Sequence, residues 1–419
     1  MARFRTITAL AIGYMVFAVL LNSVGTVILQ AVATMGVDKP HASLLEACKD
    51  LTIALVSFLF AAFVPRLGYR RSTSAALAAV GVACLLVPLR PRFGSTELLF
   101  VCIGAGFAFT KVSVYSSIGL LARDKGEHSR LTNLIEGLFM VGVLGGGWLF
   151  SLFVDPAHPG DPGWVRVYWW LAAGAVLAAA LLLTSPLDES AVGASASASA
   201  SGGRSGIRQS MGLMASLLVV VFLASAFLYV LIEQGFGTWL PTFNREVLHL
   251  SNAMSIQLAT ALAGCTALGR LGAGLVLKRI HWYPLLSGCV VLMAVLVMVT
   301  LPMAARVGNV DVLRWADVPP VAYAIPMLGL LLAPIYPVIN SVALSALPLH
   351  VHAPMTGLIV VFSALGGTLG SRITSIVFAH SDGVHAFYFS LIPMALLLAT
   401  LTALHRQSRR AQPAAPGPP

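Results

Sequence analysis

A chain of 419 residues that is 58% hydrophobic and only 10% charged is not a soluble globular domain, which carries about 25% charged residues. Nor is it disordered, since disorder needs low hydrophobicity. Apolar runs of about 20 residues, each long enough to cross a hydrocarbon core of ~30 Å, recur along its whole length. The net charge of +10 therefore reads as a topology signal and not as a nucleic-acid footprint.

Twelve spans are predicted, making an all-α polytopic membrane protein. The first, 7–30, follows basic "MARFR" and contains Asn22. Its apolar run is longer than that of a signal peptide and eleven spans follow, so it reads as a retained helix. Span two, 44–64, puts Glu46, Lys49 and Asp50 at i, i+3 and i+4 on one face. Either Lys49 neutralises the carboxylates at the membrane edge, or Asp50, a turn deeper, serves a site. Arg70 and Arg71 precede span three, 74–89. Span four, 98–121, holds Lys111 near its middle, too deep for easy snorkelling, with Tyr115 one turn on. Lys111 needs either a carboxylate, with Glu136 of span five (131–154) and Asp50 as the candidates, or an anionic substrate. Span six is 164–183.

The stretch "LDESAVGASASASASGGRSGIRQS" then reads as a flexible linker. Span seven, 211–239, contains "LYVLIEQGFGTWLPTF", which sets Glu233 and Gln234 in apolar surroundings. Spans eight to twelve are 255–277 (with Arg270), 284–303, 318–346, 355–379 and 386–404. Pro334 and Pro337 break span ten locally, and Tyr336 and Asn340 share one of its faces. Arg372 in span eleven needs a partner that the sequence does not name. The division expected is a six-helix bundle over 1–186, a linker over 187–210, a second bundle over 211–406 and a disordered tail over 407–419.

Even parity puts both termini on one side. Lys and Arg on that side, among them Arg66, Arg70, Arg71, Arg123, Lys278 and Arg279, outnumber those of the opposite loops about two to one, which makes that side the cytoplasm. The five cysteines fall in or beside spans with neither a disulfide framework nor metal-ligand spacing. No nucleotide-binding loop or nucleophile constellation is present, which argues against catalysis and ATP-driven transport. An ionisable residue within a span costs about 2.5–3.5 kcal/mol at the bilayer centre and reads as functional by default.

The halves resemble each other. "EGLFMVGVLGGGW" from Glu136 and "TGLIVVFSALGGT" from Thr356 align Gly137 with Gly357, and Gly146 and Gly147 with Gly366 and Gly367. A similar offset sets Tyr115 beside Tyr336, and "LLNSVGTV" against "LIEQGFGT" pairs Asn22 with Glu233. Two parallel six-helix pseudo-repeats joined by a linker resemble the major facilitator superfamily, whose halves rock about a midplane site. "FVPRLGYRR", Phe63 to Arg71, is similar to that family's cytoplasmic motif, although Pro65 stands where an acidic residue is usual, and "GRLGAGLVLKRI" from Gly269 is a looser copy. The resemblance implies gating roles for Arg70, Arg71 and Arg270; positive-inside anchoring is the plain alternative.

"YVLIEQGFGTWLPTF" and "APIYPVINSVALSALP" resemble the fucose–galactose–glucose:proton symporter branch. That resemblance implies import of a small polar solute, a sugar or sugar derivative, with a proton as the coupling ion and no other cofactor. Two departures matter. The branch's first-helix acid is absent, leaving Asn22, and Lys111 stands on the helix where the branch has a Glu. Proton coupling must then run through other groups. The substrate and proton candidates are Asn22, Asp50, Lys111, Tyr115, Glu136, Glu233, Gln234, Tyr336 and Asn340. The expected partners are a small-molecule substrate and membrane lipid, with no nucleic acid, for a monomer in a bacterial inner membrane. Alternatives are an exporter of drugs, metabolites or organic anions, suggested by "GVLGGG" from Gly142, and a membrane sensor that does not cycle.

Overall fold

The computed structural model describes residues 2–60, 67–122, 124–156, 158–185, 214, 216–308, 310–345, 347 and 352–411. Pro65, the linker over 187–210 and residues 412–419 lie outside the described residues. Among those described, eleven helices are long and apolar enough to cross a membrane. Leu44–Phe60, 17 residues with three charged side chains, occupies the place of span two and completes the twelve.

Span one is two helices, Ala2–Asn22 and Val24–Met35, meeting at Ser23. The Asn22 amide donates to the Ala18 carbonyl at 2.8 Å and the Ser23 hydroxyl to that of Leu20 at 2.8 Å. Polar side chains that bond back into the preceding turn bend a helix. A short turn, Lys39–Ala42, capped by Asp38, leads into span two. Spans three to six are Tyr69–Leu89, Phe93–Leu121, Lys125–Ser151 and Val167–Leu183.

Span seven, Leu217–Glu246, runs 30 residues and continues seven beyond its predicted end, through Pro241. Spans eight and nine are Asn252–Val276 and Trp282–Ala304. Span ten is a chain of short pieces, Val321–Ala324, Ile325–Met327, Leu328–Leu332 and Ile335–Ser345. Pro326, Pro334 and Pro337 withhold backbone donors along it, and a proline ring clashes with the preceding turn. Span eleven is His352–His380, and span twelve joins Gly383–Tyr388 to Leu391–Ala411. The helix thus covers residues 407–411, the first part of the expected tail.

The packing repeats. Span one lies on five and six, two on four, three on four and six; in the second half seven lies on eleven and twelve, eight on ten, nine on ten and twelve. The halves meet along the pairs two–eleven, five–eight and one–seven. Close approach there depends on small residues, as is usual where apolar burial cannot drive helix association in lipid. A methyl at Gly25 would strike the Thr238 carbonyl, and one at Gly147 the Thr260 side chain. Large apolar side chains such as Leu55, Trp170, Leu177 and Leu292 face outward, as a lipid-facing surface requires.

Candidate functional site

Two cavities lie between the halves. The first, about 340 Å³, is bounded by spans one, two, five, seven, eight and ten and lined by Asn22, Glu46, Lys49, Glu233, Gln234, Thr238 and Arg270, among others. The second, about 540 Å³, is bounded by spans two, four, seven, ten and eleven. Its lining combines Asp50, Lys111, Tyr115, Gln234, Tyr336 and Ser363 with an apolar wall that includes Ile53, Phe58, Phe107, Val112 and Val230. Gln234 faces both.

The wall beside Gln234 carries a buried charge cluster. Glu46 is fully buried. It accepts from Lys49 Nζ at 2.6 Å, Gln234 Nε2 at 2.7 Å and Thr238 Oγ1 at 2.7 Å. Lys49 Nζ also lies 3.4 Å from Asp50 Oδ1. Two carboxylates thus share one ammonium, and the same contacts tie span two to span seven across the halves. Charges removed from water persist only when paired and hydrogen-bonded in this manner.

Two more carboxylates are held by tyrosines. Glu233 accepts from Tyr229 at 2.8 Å; among the described residues no cation lies within ion-pair distance, although Arg270 lines the same cavity. Tyr229 stacks on Tyr336 at 5.4 Å, and the Tyr336 hydroxyl pairs with Ser363 at 3.0 Å. Glu136 accepts from Tyr115 and, at 3.2 Å, from Tyr14. Asn340 Oδ1 is buried without a hydrogen-bond partner among the described residues.

The bundle is closed at the end remote from the termini. There Arg372 of span eleven donates to the Pro40 carbonyl and, at 3.3 Å, to the Ser43 hydroxyl of the first half. Lys39 bridges Glu246 at 2.9 Å and lies over the Phe378 ring. Gln257 of span eight donates to Ser151 of span five at 2.8 Å.

The predicted residues fall into these groups unevenly. Asn22, Glu233 and Gln234 line the first cavity together, and Asp50, Lys111, Tyr115 and Tyr336 the second. Lys111 reaches neither expected carboxylate: among the described residues it has no ion pair, and its ammonium sits 5.8 Å from the Phe107 ring centre. Glu136 is taken by Tyr14 and Tyr115, and Asp50 by Lys49. Of the three arginines grouped as gating residues, Arg70 donates within its own half to the Ser185 carbonyl at 2.9 Å, Arg71 is exposed, and Arg270 lines the first cavity. Glu46, Lys49 and Thr238 were absent from the predicted site. Their signal was the i, i+3, i+4 face of span two; the partner on span seven had none.

No curated protein matches this sequence. Solved structures that match it over nearly its whole length are transporters. A bacterial homologue of the human lysosomal transporter Spinster, in an inward-facing and occupied conformation, superposes with TM-score 0.72 at 13% identity, covering 99% of each chain. A D-xylose–proton symporter gives 0.69 at 13%, covering 96% of this chain and 97% of its own. A nucleoside transporter gives 0.71 at 12%, covering 96% and 100%. Identities this low speak for the fold alone. At the level of sequence, residues 10–371 match the Major Facilitator Superfamily, and a twelve-span chain with cavities between two packed pseudo-repeats belongs to that family of secondary transporters.

Proposed function

We propose that this chain imports a small polar solute, a sugar or sugar derivative, by proton symport, rocking its two halves about the cavities between them. The observation that carries the reading is Glu233, a carboxylate facing a cavity between the halves, hydrogen-bonded by Tyr229 and without an ion-pair partner among the described residues. A carboxylate so placed binds and releases a proton, or accepts from a hydroxylated solute, as the access changes. Asp50 supports it: the Glu46–Lys49–Asp50 cluster has one more carboxylate than cation, and a proton is the simplest neutralising partner in a medium of low dielectric. The Tyr336 ring and the amide of Gln234 supply an aromatic surface and hydrogen bonds suited to a sugar ring. Arg270, opposite Glu233 in the first cavity, is proposed as a gating residue, with Arg70 and Arg71 holding the end of the first half. We place both termini in the cytoplasm of a bacterial inner membrane, and the working unit is one chain.

The test is uptake into proteoliposomes across a panel of radiolabelled sugars and sugar derivatives, with and without an inward proton gradient. Accumulation that collapses with a protonophore supports symport. Uptake indifferent to the gradient overturns proton coupling, gradient-driven efflux favours the exporter reading, and binding without flux favours a sensor.

A further inference from the structure

Lys111 is the charge in the second cavity that no carboxylate among the described residues meets at ion-pair distance. It sits on span four, and its side chain is exposed to the cavity. The two carboxylates that could neutralise it are both engaged elsewhere. Asp50 lies 3.4 Å from Lys49. Glu136 is fixed by the hydroxyls of Tyr14 and Tyr115; its charge reaches Lys111 through space only. Among the described residues the ammonium lies over the face of Phe107 at 5.8 Å, a weak attraction for a cation that consumes none of its three N–H donors.

We infer that Lys111 is the anchor for a carboxylate on the transported solute, so that the cargo is an organic acid, for instance an acidic sugar. This rests on the transport reading above and narrows its substrate class. A single ammonium suits a monocarboxylate better than a phosphate, whose charge is ordinarily met by arginine forks or several donors. The cavity has about 540 Å³, within the range of pockets that enclose small organic ligands. Its Tyr336–Ser363 hydroxyl pair and Gln234 amide offer hydrogen bonds for the body of the solute, and Phe107 and Phe58 an apolar wall. The chemistry also explains why a lysine is tolerated here: each cycle that carries the acid past the membrane centre does so with the charge paired.

The test uses purified full-length protein in nanodiscs and matched pairs of probes: glucuronate against glucose, and benzoate against benzyl alcohol. At least one carboxylate of the panel is expected to raise the melting temperature in a saturable way while its neutral partner does not. Lys111→Met is expected to weaken that binding by roughly tenfold to a hundredfold, the loss of one charge-assisted hydrogen bond, and Lys111→Arg to recover part of it. Stabilisation by the neutral partners alone, by no carboxylate, or by a carboxylate equally in Lys111→Met overturns the inference. Because these are equilibrium measurements without a gradient, they separate from the symport reading. Carboxylate binding lost in Lys111→Met with no gradient-driven uptake by the parent would sink proton coupling and leave the anchor standing; gradient-driven uptake of glucose with indifference to glucuronate would do the reverse.

Discussion

A single carboxylate, Glu233, separates the symport reading from its rivals, because its surroundings give it no structural task that a neutral group could not perform. Tyr229 donates to it at 2.8 Å, and a glutamine of the same shape would still accept that bond, though more weakly. Glu233→Gln is therefore expected to fold and to bind solute, retaining counterflow, while losing accumulation driven by a pH gradient. If Glu233 instead orients a hydroxylated solute, affinity falls, since an ionised acceptor makes the stronger bond, and gradient coupling survives. Transport by Glu233→Gln and Glu233→Ala that matches the parent at every pH would remove Glu233 from the mechanism. Glu233 and Lys111 stood out as candidates in the sequence because a charge inside an apolar run is a local signal, expensive wherever the helix packs. What each charge meets was not. Lys111 and Glu136 are paired on depth alone, yet the hydroxyls of Tyr14 and Tyr115 take the carboxylate first. Arg372 finds its acceptors at Pro40 and Ser43, more than 300 residues away in the chain.

Among elements, the joint between spans two and seven is the one whose energetics the geometry fixes most tightly. Glu46 accepts three bonds while fully buried, so deleting it strands the Gln234 and Thr238 donors and leaves Lys49 only Asp50 at 3.4 Å, and deleting Lys49 strands two carboxylates. Breaking a buried pair in this manner costs about 3–5 kcal/mol, whereas replacing both charges by apolar groups costs far less. Thermal unfolding in detergent should show Lys49→Met well below the parent and the neutral triple variant Glu46→Gln/Lys49→Met/Asp50→Asn substantially recovered; equal losses in the two would show the cluster to be worth no more than its packing. A smaller effect belongs to the loop before span twelve. Burial pushes the Asp382 carboxyl up, but bonds from the backbone and ring of His385 and the backbone of Val384 outweigh it, leaving the group below its ordinary value. Such a group adds stability above the ordinary carboxylate pKa of about 3.9, and that stability is lost as pH falls through the lowered folded value. Asp382→Ala is expected to cost about 1 kcal/mol at neutral pH, as an N-cap does, and the difference from the parent in unfolding free energy should vanish in strong acid. Hydropathy located these helices well. It missed the break at Ser23, since a bend made by side-chain-to-backbone bonds leaves the mean hydropathy of a window unchanged; the break of span ten between Leu332 and Ile335 was legible from Pro334 instead.

For the molecule as a whole, the contacts that join the halves at the end remote from the termini define one state of an alternating-access cycle, and Gly25 is one of the glycines whose close approach permits it. Gly25 of span one lies against the Thr238 carbonyl of span seven so closely that a methyl cannot be accommodated, and the obstacle is backbone. Gly145 of span five has nothing within 4 Å of such a methyl. Gly25→Ala should therefore prevent closure at this end without disturbing either half, and Gly145→Ala should be silent. The readout is a cysteine at Ser57, in the cavity wall on span two, introduced after the five natural cysteines are replaced. With the termini in the cytoplasm, a membrane-impermeant maleimide should label it in inverted vesicles and spare it in intact cells. Adding Gly25→Ala should slow labelling in inverted vesicles, because halves that cannot meet at the far end favour the opposite tilt, whereas Gly145→Ala should leave the rate unchanged. Labelling from outside intact cells by the parent would reverse the orientation deduced from the Lys and Arg distribution. Equal rates in the parent, Gly25→Ala and Gly145→Ala would show that closure at this end does not set the access of the cavity.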